Sequence, residues 1–401
     1  MIHRNWLPLI VALLCCASTS AWAQYQRHVH LQELAPRPAE AFSPLNGERQ
    51  DNAFGSDVVI RNGLAFIGMP AAMTTGKVAE FTQRTSGWVR TATIIASDRT
   101  TGDGFGQSVS YRDGLLVVGS GRAIYIYKRV DGVWREKQKI VPPAAEGLDT
   151  VHDLKHEAGV LAFVASSGDF QSSDFRHALF VYEQDANGRF VRRAQLMTSD
   201  AFPWSIDMTK AIIVAGTHGA AYIFGRNSSG QWVKRQQLVS SGGNNRFGQV
   251  VAVDNHMILV AAPGEPSFDD STGVVYVFVP GATQYVEAFR LPGGGTAFGS
   301  ALAISDKYIA VGSAAIADIE DNPPGFIVTY LREGSSVRPL GYIEDTGSTP
   351  ARRPSSIDIA DNLLLFGSPS DESCFHSDDF CEHTGINIGE ANLFRLNQFE
   401  P

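Results

Sequence analysis

The chain has 401 residues, 44% of them hydrophobic and 19% charged, with a formal net charge of −9. That much apolar material can fill a large core, which excludes a disordered chain, and the acidic balance argues against a surface built to bind nucleic-acid phosphates. Thirty-nine glycines and 19 prolines mark many tight turns, without the strict triplet period of collagen.

In chain order, the first element is a targeting segment. Residues 1–23 place Arg4 before an apolar run from Leu7 to Ala17 and end in the small-x-small sequence Ala21-Trp22-Ala23. This is the pattern of a secretory signal peptide, with the mature chain starting at Gln24, and it predicts export to periplasm, cell surface or medium. A buried N-terminal helix is the alternative. The run is shorter than the ~20 residues that span a bilayer, and no later stretch reaches that length, so no transmembrane segment is expected. His28 to Leu34 alternates like a solitary strand.

Internal repeats dominate the remainder. Four segments open on Phe-Gly, at Phe54, Phe105, Phe247 and Phe298, and each has Gly or Ala fourteen residues after the Phe: Gly68, Gly119, Ala261 and Gly312. The same frame finds degenerate copies starting at Val151, Phe202 and Arg353. Seven units near one period of about 50 residues indicate a repeat architecture. Each unit reads as four strands. An alternating first strand is followed by a turn such as Asn62-Gly63, Asp113-Gly114, Asp254-Asn255 or Asp361-Asn362, and then by an almost wholly apolar second strand such as LLVVG or LLLFG. The third strand (AIYIYK, VVYVFV) and the fourth (VWREKQKIV, WVKRQQLV) complete the unit.

The expected fold is all-β: a seven-bladed β-propeller of four-stranded antiparallel blades, forming a single domain over residues 24–401. The seventh unit lacks a fourth strand, so an N-terminal strand, read as residues 28–34, is expected to complete the last blade and remove an open edge. The predicted fourth strands carry Arg90, Arg135, Lys137, Lys139, Arg192, Arg193, Lys234, Arg235, Arg290 and Arg338, read as charge protection of outer edges. Trp134, Trp232, Tyr125, Tyr127, Tyr276 and Phe278 lie in strands and are read as blade packing rather than as carbohydrate platforms.

The loops between second and third strands are long and acidic in four units. Asp269 and Asp270, Asp318 and Asp321, and Asp378 and Asp379 are the candidate ligand-binding residues of an acidic recognition face. Ordinary solvated loops would carry the same charges. Cys374 and Cys381, the two cysteines outside the signal segment, are read as a disulfide. A zinc set completed by His376 and His383 is the alternative, though its spacing matches no common zinc module.

Phe247-Gly248…Ala261-Ala262-Pro263-Gly264, Phe105-Gly106…Gly119-Ser120 and Phe366-Gly367-Ser368-Pro369 resemble the FG-GAP repeat of the integrin α-subunit propeller and of bacterial secreted relatives. The resemblance implies a propeller serving as a binding or adhesion module, monomeric, for a protein, glycan or cation. Calcium-binding members carry Asp-x-Asp-x-Asp-Gly between the first two strands. That sequence is absent, so no calcium site is carried over and no cofactor is expected. No Gly-x-Ser-x-Gly elbow or phosphate loop occurs, so no enzyme is expected. A propeller hydrolase or lyase with its site at the central channel is the alternative.

Overall fold

The computed structural model describes residues 40–42, 53–70, 75–143, 146–167, 174–197, 201–241, 246–263, 272–313, 325–334, 336–344, 354–369 and 390–399. They form seven separate four-stranded antiparallel sheets. Blade 1 contains Val58–Arg61, Leu64–Met69, Lys77–Arg84 and Gly87–Ile94, and blade 2 contains Ser108–Arg112, Leu115–Gly119, Ile124–Val130 and Val133–Ile140. The first strands of blades 3 to 7 are Thr150–Glu157, Ser205–Met208, Val250–Val253, Ala301–Ile304 and Ser356–Ala360. Each first strand neighbours that of the next blade, and the blade 7 strand neighbours that of blade 1, so the ring closes. The expected seven-bladed propeller is therefore what the chain forms.

Closure uses an N-terminal strand, but a later one than the alternation suggested. Glu40–Phe42 pairs antiparallel with Glu390–Arg395, with Glu40 opposite Leu393 and Phe42 opposite Ala391. Residues 28–34 lie outside the described residues. Three residues are too few to show a period of two, so nothing in Glu-Ala-Phe marked it as a strand.

Turn chemistry follows the sequence closely. Asn62 and Gly63 take φ of 52° and 70°, and Asp113 and Gly114 take 52° and 73°, the left-handed pair that two-residue hairpins require. Asp254 works differently: its carboxylate accepts the N–H groups of His256 (2.8 Å) and Met257 (2.7 Å). The apolar second strands Val160–Ser166, Ile258–Ala262, Tyr308–Ser313 and Leu363–Ser368 are buried at every position.

The core lies between blades. Phe54 joins side chains of blades 1 and 7, Phe105 of blades 1 and 2, Phe247 of blades 4 and 5, and Phe298 of blades 5 and 6; all four are fully buried. Burying each is worth about 1.5–3 kcal/mol. The following glycine is needed for backbone approach. Gly106 sits at φ +99°, donates to the carbonyl of Gly119 (3.0 Å), and lies so near blade 1 that a Cβ on Gly68 would fall 1.9 Å from the Gly106 carbonyl oxygen. A Cβ on Gly216 would likewise fall 2.0 Å from the Gly248 carbonyl oxygen, and one on Gly367 would fall 2.0 Å from that of Gly55. The fourteen-residue spacing thus records an interlock between consecutive repeats.

At the rim, the fourth strands are the outer edges, as expected. Several of their cations also cover third-strand aromatics: Lys139 over Tyr125, Arg192 over Phe180, Lys234 over Tyr222 and Arg290 over Tyr276, at 4.7–5.2 Å from the ring centroids. Farther in, Glu80 of blade 1 is fully buried and accepts from Arg129 (2.6 and 2.8 Å), the Trp134 indole and Thr91. Glu183 of blade 3 receives Arg226 (2.7 Å) and the Trp232 indole (2.8 Å) of blade 4 in the same way. Trp134 and Trp232 are blade-packing residues, and their N–H groups also latch adjacent blades.

Candidate functional site

The first strands surround a central cavity of about 400 Å³ lined by all seven blades. Their side chains alternate between the inter-blade core (Val58, Val109, Leu154, Ile206, Val251) and the channel wall. The strand edges facing the channel present backbone N–H groups with no sheet partner, and an unpaired buried donor is costly. Wall side chains of the preceding blade satisfy them. Asp57 accepts from Val109 (2.6 Å), Ser108 from Leu154 (3.3 Å), Asp153 from Ile206 (2.9 Å), Asp207 from Val253 (2.7 Å) and Asp358 from Ile60 (2.8 Å). Five of the seven junctions carry such a tie. Blades 5 and 6 place Val250, Ala252, Ala301 and Ala303 at the corresponding positions, so the wall has an apolar sector.

Lys155 stands in the polar sector, a third exposed, with its Nζ 3.6 Å from Asp153. Burial alone would lower its pKa, but Asp153, Asp57, Asp207 and Asp358 outweigh that and hold the ammonium charged. The same burial raises the Asp57 carboxyl and pushes Asp207 up to about 6, against the pull of Lys155. Arg61 pairs with Asp358 (2.9 Å) and Arg112 with Glu157 (3.1 Å).

His156 and Ser110 form a hydrogen-bonded pair on this wall. Nδ1 accepts the Ser110 hydroxyl at 2.9 Å, and Nε2 donates to the Arg112 carbonyl at 3.1 Å. The two residues are 2% and 6% exposed, and their hydrogen bond joins blades 2 and 3. Burial lowers the imidazole to about 4. Between that value and the ordinary 6.5, the unfolded chain binds a proton that the fold refuses, so His156 removes stability as pH falls through this window. Asp207 acts in the opposite sense, since the fold takes up its proton near 6 and the unfolded chain only near 3.8. Relative to His156→Gln, the native protein should therefore lose roughly 2–3 kcal/mol between pH 7 and 4.5, measured by urea midpoints at each pH. Parallel pH curves for the two proteins would contradict this assignment.

An aromatic cluster borders the cavity at blades 3 and 4. Trp204, 44% exposed, stacks on His218 (5.1 Å, 17°) and meets Phe202 edge-on at 5.3 Å, and Phe202 in turn meets His152 at 5.0 Å. Trp204 and His152 both line the cavity. Neither stood out in the sequence, because blades 3 and 4 are both degenerate repeats: Val151-His152 replaces the Phe-Gly of one, and Pro203-Trp204 the Gly-x of the other.

Asp269, Asp270, Asp318, Asp321, Asp378 and Asp379 lie outside the described residues, as do Cys374, Cys381, His376 and His383. Among the described residues, Asp254, His256 and Asp306 bring potential metal-ligand atoms within 4.8 Å of one another. The Asp254 carboxylate also caps its turn and pairs with Arg332, whose side chain is only 4% exposed.

Residues 88–124 match the FG-GAP repeat family. The match runs from the fourth strand of blade 1 through Phe105-Gly106 to the start of the third strand of blade 2. The chain is a seven-bladed propeller that carries an FG-GAP repeat. No curated protein sequence matches this chain. Among solved structures it is similar to the N-terminal domain of Nup159, at 12% identity and a TM-score of 0.45, over 88% of this chain and 93% of that one. It is also similar to KlHsv2 with loop 6CD replaced by a Gly-Ser linker (12%, 0.43, 65% and 74%) and to Kluyvelomyces marxianus Hsv2 (11%, 0.40, 65% and 71%). Likenesses at this level say nothing about function. Among its described residues, no helix is long and apolar enough to cross a membrane.

Proposed function

We propose that the FG-GAP propeller is an exported, monomeric interaction module that recognises a protein, glycan or cation at its loop-bearing face. One observation carries this reading: the ionisable groups of the channel are spent on the ring itself. Both carboxylate oxygens of Asp57, Asp207 and Asp358 accept backbone N–H groups, and Asp153 accepts one and faces Lys155. Such groups serve a rigid framework, and rigid frameworks present loops for recognition. No catalytic role is assigned. The acidic loops with Asp269, Asp270, Asp318, Asp321, Asp378 and Asp379, with a Cys374–Cys381 bridge ordering the last of them, form the recognition surface.

The test uses the native secreted protein, with its N-terminus read to check cleavage before Gln24. Crosslinking on intact cells and a glycan array should identify a partner whose binding falls when these six aspartates become asparagine. Turnover of esterase, lactonase or glycosidase substrates, with no partner captured, would favour the hydrolase or lyase alternative.

A further inference from the structure

We propose that the central channel binds an organic cation, an amine whose ammonium groups enter among the wall carboxylates while its hydrocarbon lies against Trp204. The proposal rests on the reading of the protein as an interaction module and names a ligand class for the channel. The cavity of about 400 Å³ has room for a small linear amine. Its wall carries five carboxylates (Asp57, Asp153, Asp207, Asp358 and Glu157) against three cations (Lys155, Arg61 and Arg112). His152 and His156 have lowered pKa values and add no charge at neutral pH. Two negative charges are therefore in excess within a protein-walled channel, where fields are focused rather than screened.

The wall is also rich in hydrogen-bond acceptors. Besides the carboxylates, the buried Oε1 of Gln249, on a cavity-lining residue, has no hydrogen-bond donor among the described residues. A donor-rich ligand suits such a wall and an anion does not. A hard inorganic cation suits it less well, because it needs six or more oxygens converging on one point. The oxygens of Asp57, Asp207 and Asp358 are already directed at backbone N–H groups of separate blades. An ammonium needs only the field and a spare lone pair. The apolar sector of Val250, Ala252, Ala301 and Ala303 accommodates methylene groups, and the half-exposed indole of Trp204 extends this apolar surface at the cavity edge.

Titration calorimetry of the mature protein with spermidine, and separately with calcium chloride, tests this. Saturable spermidine binding is expected, weakened at least tenfold by Trp204→Ala, weakened little by Trp204→Phe, and tightened by Lys155→Met, which removes a like charge. A purely structural role for Lys155 predicts no tightening. Trp204 is exposed, so its variants keep the test available if Lys155→Met fails to fold. Absence of saturable spermidine binding, equal binding by Trp204→Ala, or calcium binding with the same response to Trp204→Ala would overturn the proposal. A protein or glycan partner held equally by native protein and Trp204→Ala, with no spermidine binding, would sink the channel site and leave the interaction module standing. Spermidine binding with no such partner would do the reverse.

Discussion

Gly68→Ala will destabilise the propeller by about 3 kcal/mol or more, the upper range for overpacking a close-packed core. The new methyl group would lie 1.9 Å from the carbonyl oxygen of Gly106, a backbone atom that cannot rotate away. Gly106 is held by its own bond to Gly119 and by a φ of +99°, so the strain must open the seam between blades 1 and 2. Gly312→Ala supplies the comparison. It occupies the same place in the repeat, but its Cβ would meet only side-chain atoms at 3.3–3.4 Å. Blade 5 already has Ala261 at that place. Gly312→Ala should cost under about 1 kcal/mol, within reach of ordinary core relaxation. Equal urea midpoints for the two variants would mean that the interlock does not hold the blades.

Glu80→Ala will cost about 2–3 kcal/mol, the upper range for removing the acceptor of partly buried donors, because the Arg129 side chain keeps 36% of its surface in solvent. The carboxylate has no solvent exposure, and its removal leaves the Arg129 guanidinium and the Trp134 N–H without their acceptor. Burial by itself would raise the Glu80 pKa, but the bonds from Thr91, Trp134 and Arg129 win and lower it. Its contribution is therefore complete above the ordinary carboxylate pKa and is lost as pH falls through the depressed folded value. Glu183→Ala removes the matching latch between blades 3 and 4, where the carboxylate is 25% exposed, and should cost less. Thermal or urea unfolding ranks the two; a Glu183 effect equal to or larger than that of Glu80 would show that burial does not set the cost.

The repeat frame was legible because each blade spends its most restricted residue types at fixed places. Phe54, Phe105, Phe247 and Phe298 must fill inter-blade gaps, and Gly68 and Gly106 must let two backbones touch. Asn62-Gly63 and Asp113-Gly114 announced their turns because few other pairs adopt a left-handed φ twice. The Ala158-Gly159 turn, with φ of 48° and 75°, gave no such signal because alanine rarely occurs there. The channel was harder to read. Asp57, Asp153, Asp207 and Asp358 are ordinary polar positions of an alternating strand, and only the ring brings them around Lys155. Glu80 and Glu183 occupy different registers of their third strands, opposite Phe66 and Val160, so no repeat period exposes the shared latch.

The closing strand sets the order of assembly. Glu40 and Leu393 pair across 353 residues, the difference between their positions. Glu40–Phe42 leaves the ribosome among the first residues of the ring, and its partner is among the last. Until then blade 7 has only Ser356–Ala360 and Leu363–Ser368, and Glu40–Phe42 has no strand to pair with. Pairings this distant in sequence form slowly, because the entropy of closing the loop must be met before the contact repays it. A nascent or truncated chain ending before residue 390 therefore leaves the edge of Leu363–Ser368 unpaired, and such edges invite aggregation and capture by holding chaperones.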